Sequence, residues 1–186
     1  MKKHKAIRFF MILNVLCIQI TFLTMIIKEK YDSNIYVALL SLLLITLTMF
    51  GNKYLDLHHD EYSYEKIAVI IWVPIGAIVC YILNINLGLG SVLSASIVGT
   101  LASFIPKLKK QSIYLKNLPP AIYCGAFVGM SSVQITPSIY FVIAAGILAG
   151  LFFMISKNLF LGVGGKLGTI AFTGVIMVSL MYWLSL

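Results

Sequence analysis

Seven long apolar runs separated by short polar segments pattern this chain. The runs are Ala6 to Ile27, Ile35 to Phe50, Ile67 to Leu83, Leu87 to Ile105, Ala121 to Thr136, Ser138 to Ser156 and Thr169 to Leu184. A helix rises about 1.5 Å per residue, so about 20 apolar residues cross a hydrocarbon core of about 30 Å. The pattern therefore predicts an all-α, polytopic membrane protein of seven transmembrane helices, forming one domain over residues 1–186. The first helix, residues 6–27, is expected to stay attached, since no small-residue cleavage site follows it. Its polar members Asn14, Gln19, Thr21 and Thr24 are expected to face other helices.

Breakers mark the run boundaries. Pro74 and Gly76 fall inside the third run and predict a kink. Asn84 to Asn86 reads as a short turn. Pro106 is expected to end the fourth span, and Pro119-Pro120 to start the fifth, which Pro137 closes. At sixteen residues this fifth run reaches about 24 Å, short of a full crossing. Ser91, Ala95 and Gly99 form a small-xxx-small row, which places the fourth span at the centre of the bundle.

Composition agrees with the pattern. The 186 residues are 60% hydrophobic and 11% charged, against about 25% charged in soluble domains. The net charge of +8 does not make a nucleic-acid face, because the lysines flank apolar runs. With the N-terminus cytoplasmic, twelve basic residues lie inside and only Lys28 and Lys30 outside, the bias expected of a bacterial cytoplasmic membrane protein. The protein is expected in the lipid bilayer as a homo-oligomer.

Within this topology two segments echo each other. Asn84-Ile-Asn-Leu-Gly-Leu-Gly-Ser-Val-Leu93 aligns without a gap on Asn158-Leu-Phe-Leu-Gly-Val-Gly-Gly-Lys-Leu167, and Gly76 falls on Gly150 at the same offset. The first motif opens its helix from outside and the second from the cytoplasm. Residues 35–105 and 119–186 then form two three-helix units of inverted topology, the plan of many secondary transporters.

A helix start carries unpaired N–H groups and a partial positive charge, and glycines let an anion approach them. Gly162, Gly164, Gly165 and Lys166, with Asn158, are the first candidate substrate contacts. Gly88, Gly90 and Ser91 are the mirror element, and Ser131 and Ser132 are further polar candidates. The competing reading of the glycines is close helix packing, with Lys166 an ordinary topological lysine. A P-loop fails, because Phe160 and Leu167 stand where glycine and Ser or Thr belong. A dinucleotide fingerprint fails too, for want of a βαβ context. His58, His59, Asp60 and Glu61 lack helical metal-site spacing and read as a solvated loop. Cys17, Cys80 and Cys124 match no metal or redox pattern. No acid or histidine lies inside a run, which disfavours a proton relay and intramembrane catalysis.

The layout of the fourth span, the basic loop, Pro119-Pro120 and the short glycine-rich helix is similar to that of small threonine/serine-exporter-like membrane proteins. The likeness covers about a quarter of the chain and lacks their proline-glycine motif, so no residue roles follow from it. The expectation is a non-enzymatic transporter or channel, without cofactor or metal, for a small and anionic solute. The alternative is a membrane assembly partner or accessory subunit that transports nothing.

Overall fold

The computed structural model describes residues 63–157 and 165–184, and residues 13, 17, 20, 21, 23–25, 27, 28, 36, 39, 40, 42–44, 46 and 47. The chain divides into two compact units, Met1–Tyr62 and Ser63–Leu186. In the first unit the described residues are helical. The hydroxyls of Thr21 and Thr24 donate to the carbonyls of Cys17 and Ile20, each at 2.7 Å, and Thr46 donates to Leu43 at 2.7 Å. Thr21 and Thr24 thus satisfy their hydroxyls within their own helix, which suits them to an apolar solvent. Asn14 and Gln19 lie outside the described residues.

Among the described residues the second unit has five helices and no strand. Helix α1 runs over Ile67–Asn86. It is interrupted at Ile71 and closes in a π-helical turn, Ile82–Asn86. Pro74 has no N–H for the carbonyl of Ile70, so the break expected near the proline falls one turn before it. Residues 84–86, expected as a turn, instead extend the helix. The Leu87 amide reaches back to the Ile82 carbonyl at 3.0 Å.

Helix α2 spans Ser91–Leu108 and follows Gly90, whose φ of 82° is open to glycine at little cost. Pro106 lies inside its last turn rather than ending it. Helix α3 spans Ile113–Gly129 and passes through Pro119 and Pro120. The expected start at the proline pair is therefore corrected: the helix begins six residues earlier at a serine cap, where Ser112 Oγ accepts from the Leu115 amide. Helix α4 spans Ile139–Ile155 and begins at a second cap, Ser138 Oγ accepting from the Phe141 amide at 3.3 Å. Helix α5 spans Lys166–Leu184.

Helices α1, α2 and α5 are long and apolar enough to cross a membrane, and α4 is a shorter apolar helix. Together they make this an integral membrane protein.

Small residues set the packing. A Cβ added at Gly125 would collide with the Val73 carbonyl, one at Gly129 with the Ala77 carbonyl, and one at Gly76 with the Ile122 carbonyl. Helices α1 and α3 therefore run parallel with their backbones in contact along Gly125-x-x-x-Gly129, the close approach that associates helices in lipid. Helix α4 crosses α1 in the opposite direction, with Gly146 against Pro74 and Gly150 against Ile70. Gly174 of α5 lies on Ala145 and Ala149 of α4.

Helix α3 touches all four others, and its Leu118, Ala121, Cys124, Ala126 and Val128 are fully enclosed. It is the centre of this unit. Helix α2, expected there, packs mainly on α3 and leaves Val92, Leu93, Leu101 and Phe104 exposed. Its Ser91, Ala95 and Gly99 row does face the bundle, but at the periphery.

Candidate functional site

Three polar features interrupt this apolar bundle. The first gathers the start of α1, the first turns of α3, the end of α4 and the start of α5. Glu65, just before α1, is 8% exposed. Its carboxylate lies 3.2 Å from the Lys157 ammonium and accepts from the Asn117 side-chain amide and the Lys66 backbone amide, each at 3.3 Å. Its own amide donates to the Met154 carbonyl at 3.2 Å. Beside this pair, the Lys166 ammonium donates to the carbonyls of Ser156 and, at 3.0 Å, Lys157. These carbonyls lie just beyond the last residue of α4, where a cation complements the negative end of the helix dipole. On the flank, Trp72 Nε1 donates to the Tyr114 hydroxyl at 2.9 Å, and that hydroxyl donates to the Ala68 carbonyl at 3.3 Å.

The second feature is at the other end of α1 and α3. Asn84, in the π-helical turn, is 8% exposed. Its side-chain amide donates to the carbonyls of Gly129 and Ser131, each at 3.3 Å. These are carbonyls left over at the end of α3, so Asn84 acts as a C-terminal cap supplied by a neighbouring helix. The Thr136 hydroxyl donates to the Ser132 carbonyl at 3.0 Å and keeps the following turn closed.

The third feature is a lateral groove of about 360 Å³ between α2 and α3, lined by Ser96, Gly99, Thr100, Ser103 and Tyr123. Gly99 creates it: a side chain there would run into the Tyr123 ring at 2.7 Å. That ring also packs on Phe127 at 4.5 Å between centroids. Ser96 and Ser103 spend their hydroxyl protons on the carbonyls of Val92 and Thr100, each at 2.7 Å. Among the described residues, no hydrogen-bond partner meets the Thr100 hydroxyl or the Tyr123 phenol. Ser96, Thr100 and Ser103 all lie inside a membrane-length helix.

The residues singled out from the sequence fall into several places. Gly88, Gly90 and Gly165 have φ of 65°, 82° and 83°, and an added Cβ would meet nothing within 4 Å there. Close packing, the competing reading of the motif glycines, does not apply to these three. They serve turn geometry, and the close helix approaches are made at other glycines, among them Gly76, Gly125, Gly129, Gly146, Gly150 and Gly174. Ser91 begins α2. Ser131 and Ser132 contribute backbone carbonyls to the Asn84 and Thr136 contacts. Lys166 begins α5 and turns back onto the end of α4. Asn158, Gly162 and Gly164 lie outside the described residues, as do His58, His59, Asp60 and Glu61. Lys166 and the Gly88 to Ser91 segment occupy opposite ends of the described helices.

The sequence reading missed Glu65, Asn117, Thr100 and Tyr123. Thr100 could have been found from Ser96, Thr100 and Ser103, which repeat at helical spacing along one face.

No family model, no curated protein and no solved structure matches this chain.

Proposed function

We propose that this chain is a seven-span transporter or channel for a small polar solute, with the groove between α2 and α3 as part of its path. The carrying observation is a pair of hydroxyls without a partner among the described residues, Thr100 on the membrane-length α2 and Tyr123 facing it from α3. A hydroxyl facing hydrocarbon without a partner costs a few kcal/mol, so water or a solute in the groove would offset that cost. The walls carry hydroxyls and no charge, which favours recognition by hydrogen bonding. The anionic preference expected from Lys166 loses its carrier, because that ammonium is spent on the α4 carbonyls.

The twofold plan of units 35–105 and 119–186 belongs to this proposal. A left-handed glycine precedes both α2 and α5, at Gly90 and Gly165, one residue out of the ungapped alignment. Gly76 and Gly150 both mark close helix approaches. Helix α2 leans on α3 and α5 on α4, so the two units differ in their main neighbours. The lysine distribution supports a cytoplasmic N-terminus, and assembly as a homo-oligomer would wall the open side of the groove.

The test is osmotic swelling of proteoliposomes in gradients of glycerol, urea or alanine. The wild type is expected to accelerate swelling for at least one solute, and Thr100→Val with Tyr123→Phe to slow it severalfold. The open groove also suits an accessory subunit whose partner helix covers Thr100 and Tyr123. Swelling no faster than in protein-free liposomes for every solute would favour that reading.

A further inference from the structure

We propose that the corner joining α2 to α3 is a docking surface for the headgroups of anionic phospholipids. Lys107, Lys109, Lys110 and Lys116 are all exposed there, around a tight turn in which the Ser112 amide donates to the Lys109 carbonyl at 3.0 Å. Glu65 is the only side-chain carboxylate among the described residues, and it is paired with Lys157. The corner charge is therefore uncompensated within this unit.

The apolar side chains beside it identify a lipid rather than a soluble anion. Leu108 is 82% exposed, Ile113 75% and Phe104 51%. They stand within a few residues of the lysines, Phe104 and Leu108 at the end of a helix long enough to cross the membrane and Ile113 at the start of α3. The Lys107 ammonium sits 4.5 Å over the Phe104 ring, so a positive charge and an exposed apolar ring share one surface of α2. Four lysines beside a span, each adding attraction to an anionic surface, make a headgroup site when exposed apolar side chains are interleaved with them. A lysine that only fixed topology would need no such neighbours.

The experiment uses the purified full chain in detergent, with fluorescent phosphatidylglycerol or phosphatidylcholine added and retention measured after gel filtration. The wild type is expected to retain phosphatidylglycerol preferentially, with retention falling as salt rises. The variant K107Q/K109Q/K110Q/K116Q is expected to retain about tenfold less. The variant K2Q/K3Q/K5Q/R8Q, which loses the same charge elsewhere, is expected to match the wild type. Equal loss in both variants, undiminished retention in the corner variant, or equal retention of the two lipids would overturn the proposal. Full displacement by millimolar inorganic phosphate would overturn the assignment to lipid. Thermal unfolding of the corner variant checks its fold, since these exposed side chains are expected to leave the melting temperature within a few degrees of the wild type. None of these outcomes depends on solute movement.

Discussion

The carboxylate of Glu65 meets the ammonium of Lys157 at 3.2 Å, and the Glu65 side chain is 7% exposed while that of Lys157 is 35% exposed. The pair ties the segment before α1 to the end of α4. Because the lysine keeps access to solvent, its removal should cost less than in a fully buried pair, about 1–3 kcal/mol. Lys157→Ala is expected to lower the thermal unfolding temperature in detergent. Joint replacement, Glu65→Leu with Lys157→Leu, should cost less than the two single changes added together, because it leaves no stranded charge. Additive losses would show that the two groups do not act as a pair.

Lys166 predicts a dissociation between stability and selectivity. Lys166→Met removes the cation from the end of α4 and should destabilise by about 1–2 kcal/mol. The relative fluxes of anionic and neutral solutes in proteoliposomes should stay unchanged. A selective loss of anion flux in the Met variant would restore Lys166 to the substrate path.

Three glycine-to-alanine changes separate three physical roles. Gly125→Ala drives a methyl into the Val73 carbonyl, where only backbone can yield; a loss of about 3 kcal/mol or failure to fold is expected. Gly90→Ala has space but must hold a φ of 82°, at a cost of about 1–2 kcal/mol. Gly168→Ala, within α5 and facing open space among the described residues, should be neutral or stabilising by up to about 1 kcal/mol. Thermal melts of the three variants should rank in that order.

Asn84 supplies two hydrogen-bond protons to carbonyls at the end of α3. Asn84→Leu should cost about 1–3 kcal/mol by leaving them unpaired. Asn84→Asp should be worse at neutral pH, since it sets a carboxylate oxygen against two carbonyl oxygens. Hydrogen exchange at Met130 and Ser131 would report the loosened helix end, and unchanged exchange in both variants would count against the capping role.

The apolar runs of the last five segments were legible because an apolar helix in lipid must satisfy its own backbone. The ends were less so. Lys116, Asn117 and the proline pair read as a loop, yet α3 runs through them because a proline removes only one helical hydrogen bond and Ser112 caps the start. Glu65 stands at the edge of a polar stretch, where nothing in the neighbouring sequence marks it for burial. Its burial depends on Asn117, Met154 and Lys157 arriving from distant parts of the chain, which no local pattern records. The centrality of α3 was hidden for a related reason. Both α2 and α3 carry small residues at four-residue spacing, and only the depth of the partner surface distinguishes them. That surface is Val73, Gly76, Ala77 and Cys80 of α1, which takes Gly125 and Gly129 into backbone contact.

The parallel contact of α1 with α3 also constrains how the protein is made. Parallel neighbours cannot be joined by a tight hairpin, so α2 must run back between them in the chain before α3 can lie in the right direction. The seam of Gly76 and Ala77 on α1 is therefore closed by a helix that follows α2 in the chain, while α2 itself sits at the rim of this unit. Pairing α1 with its sequence neighbour alone thus leaves the closest backbone contact of this unit unmade, and that contact forms only when Gly125 and Gly129 are in place.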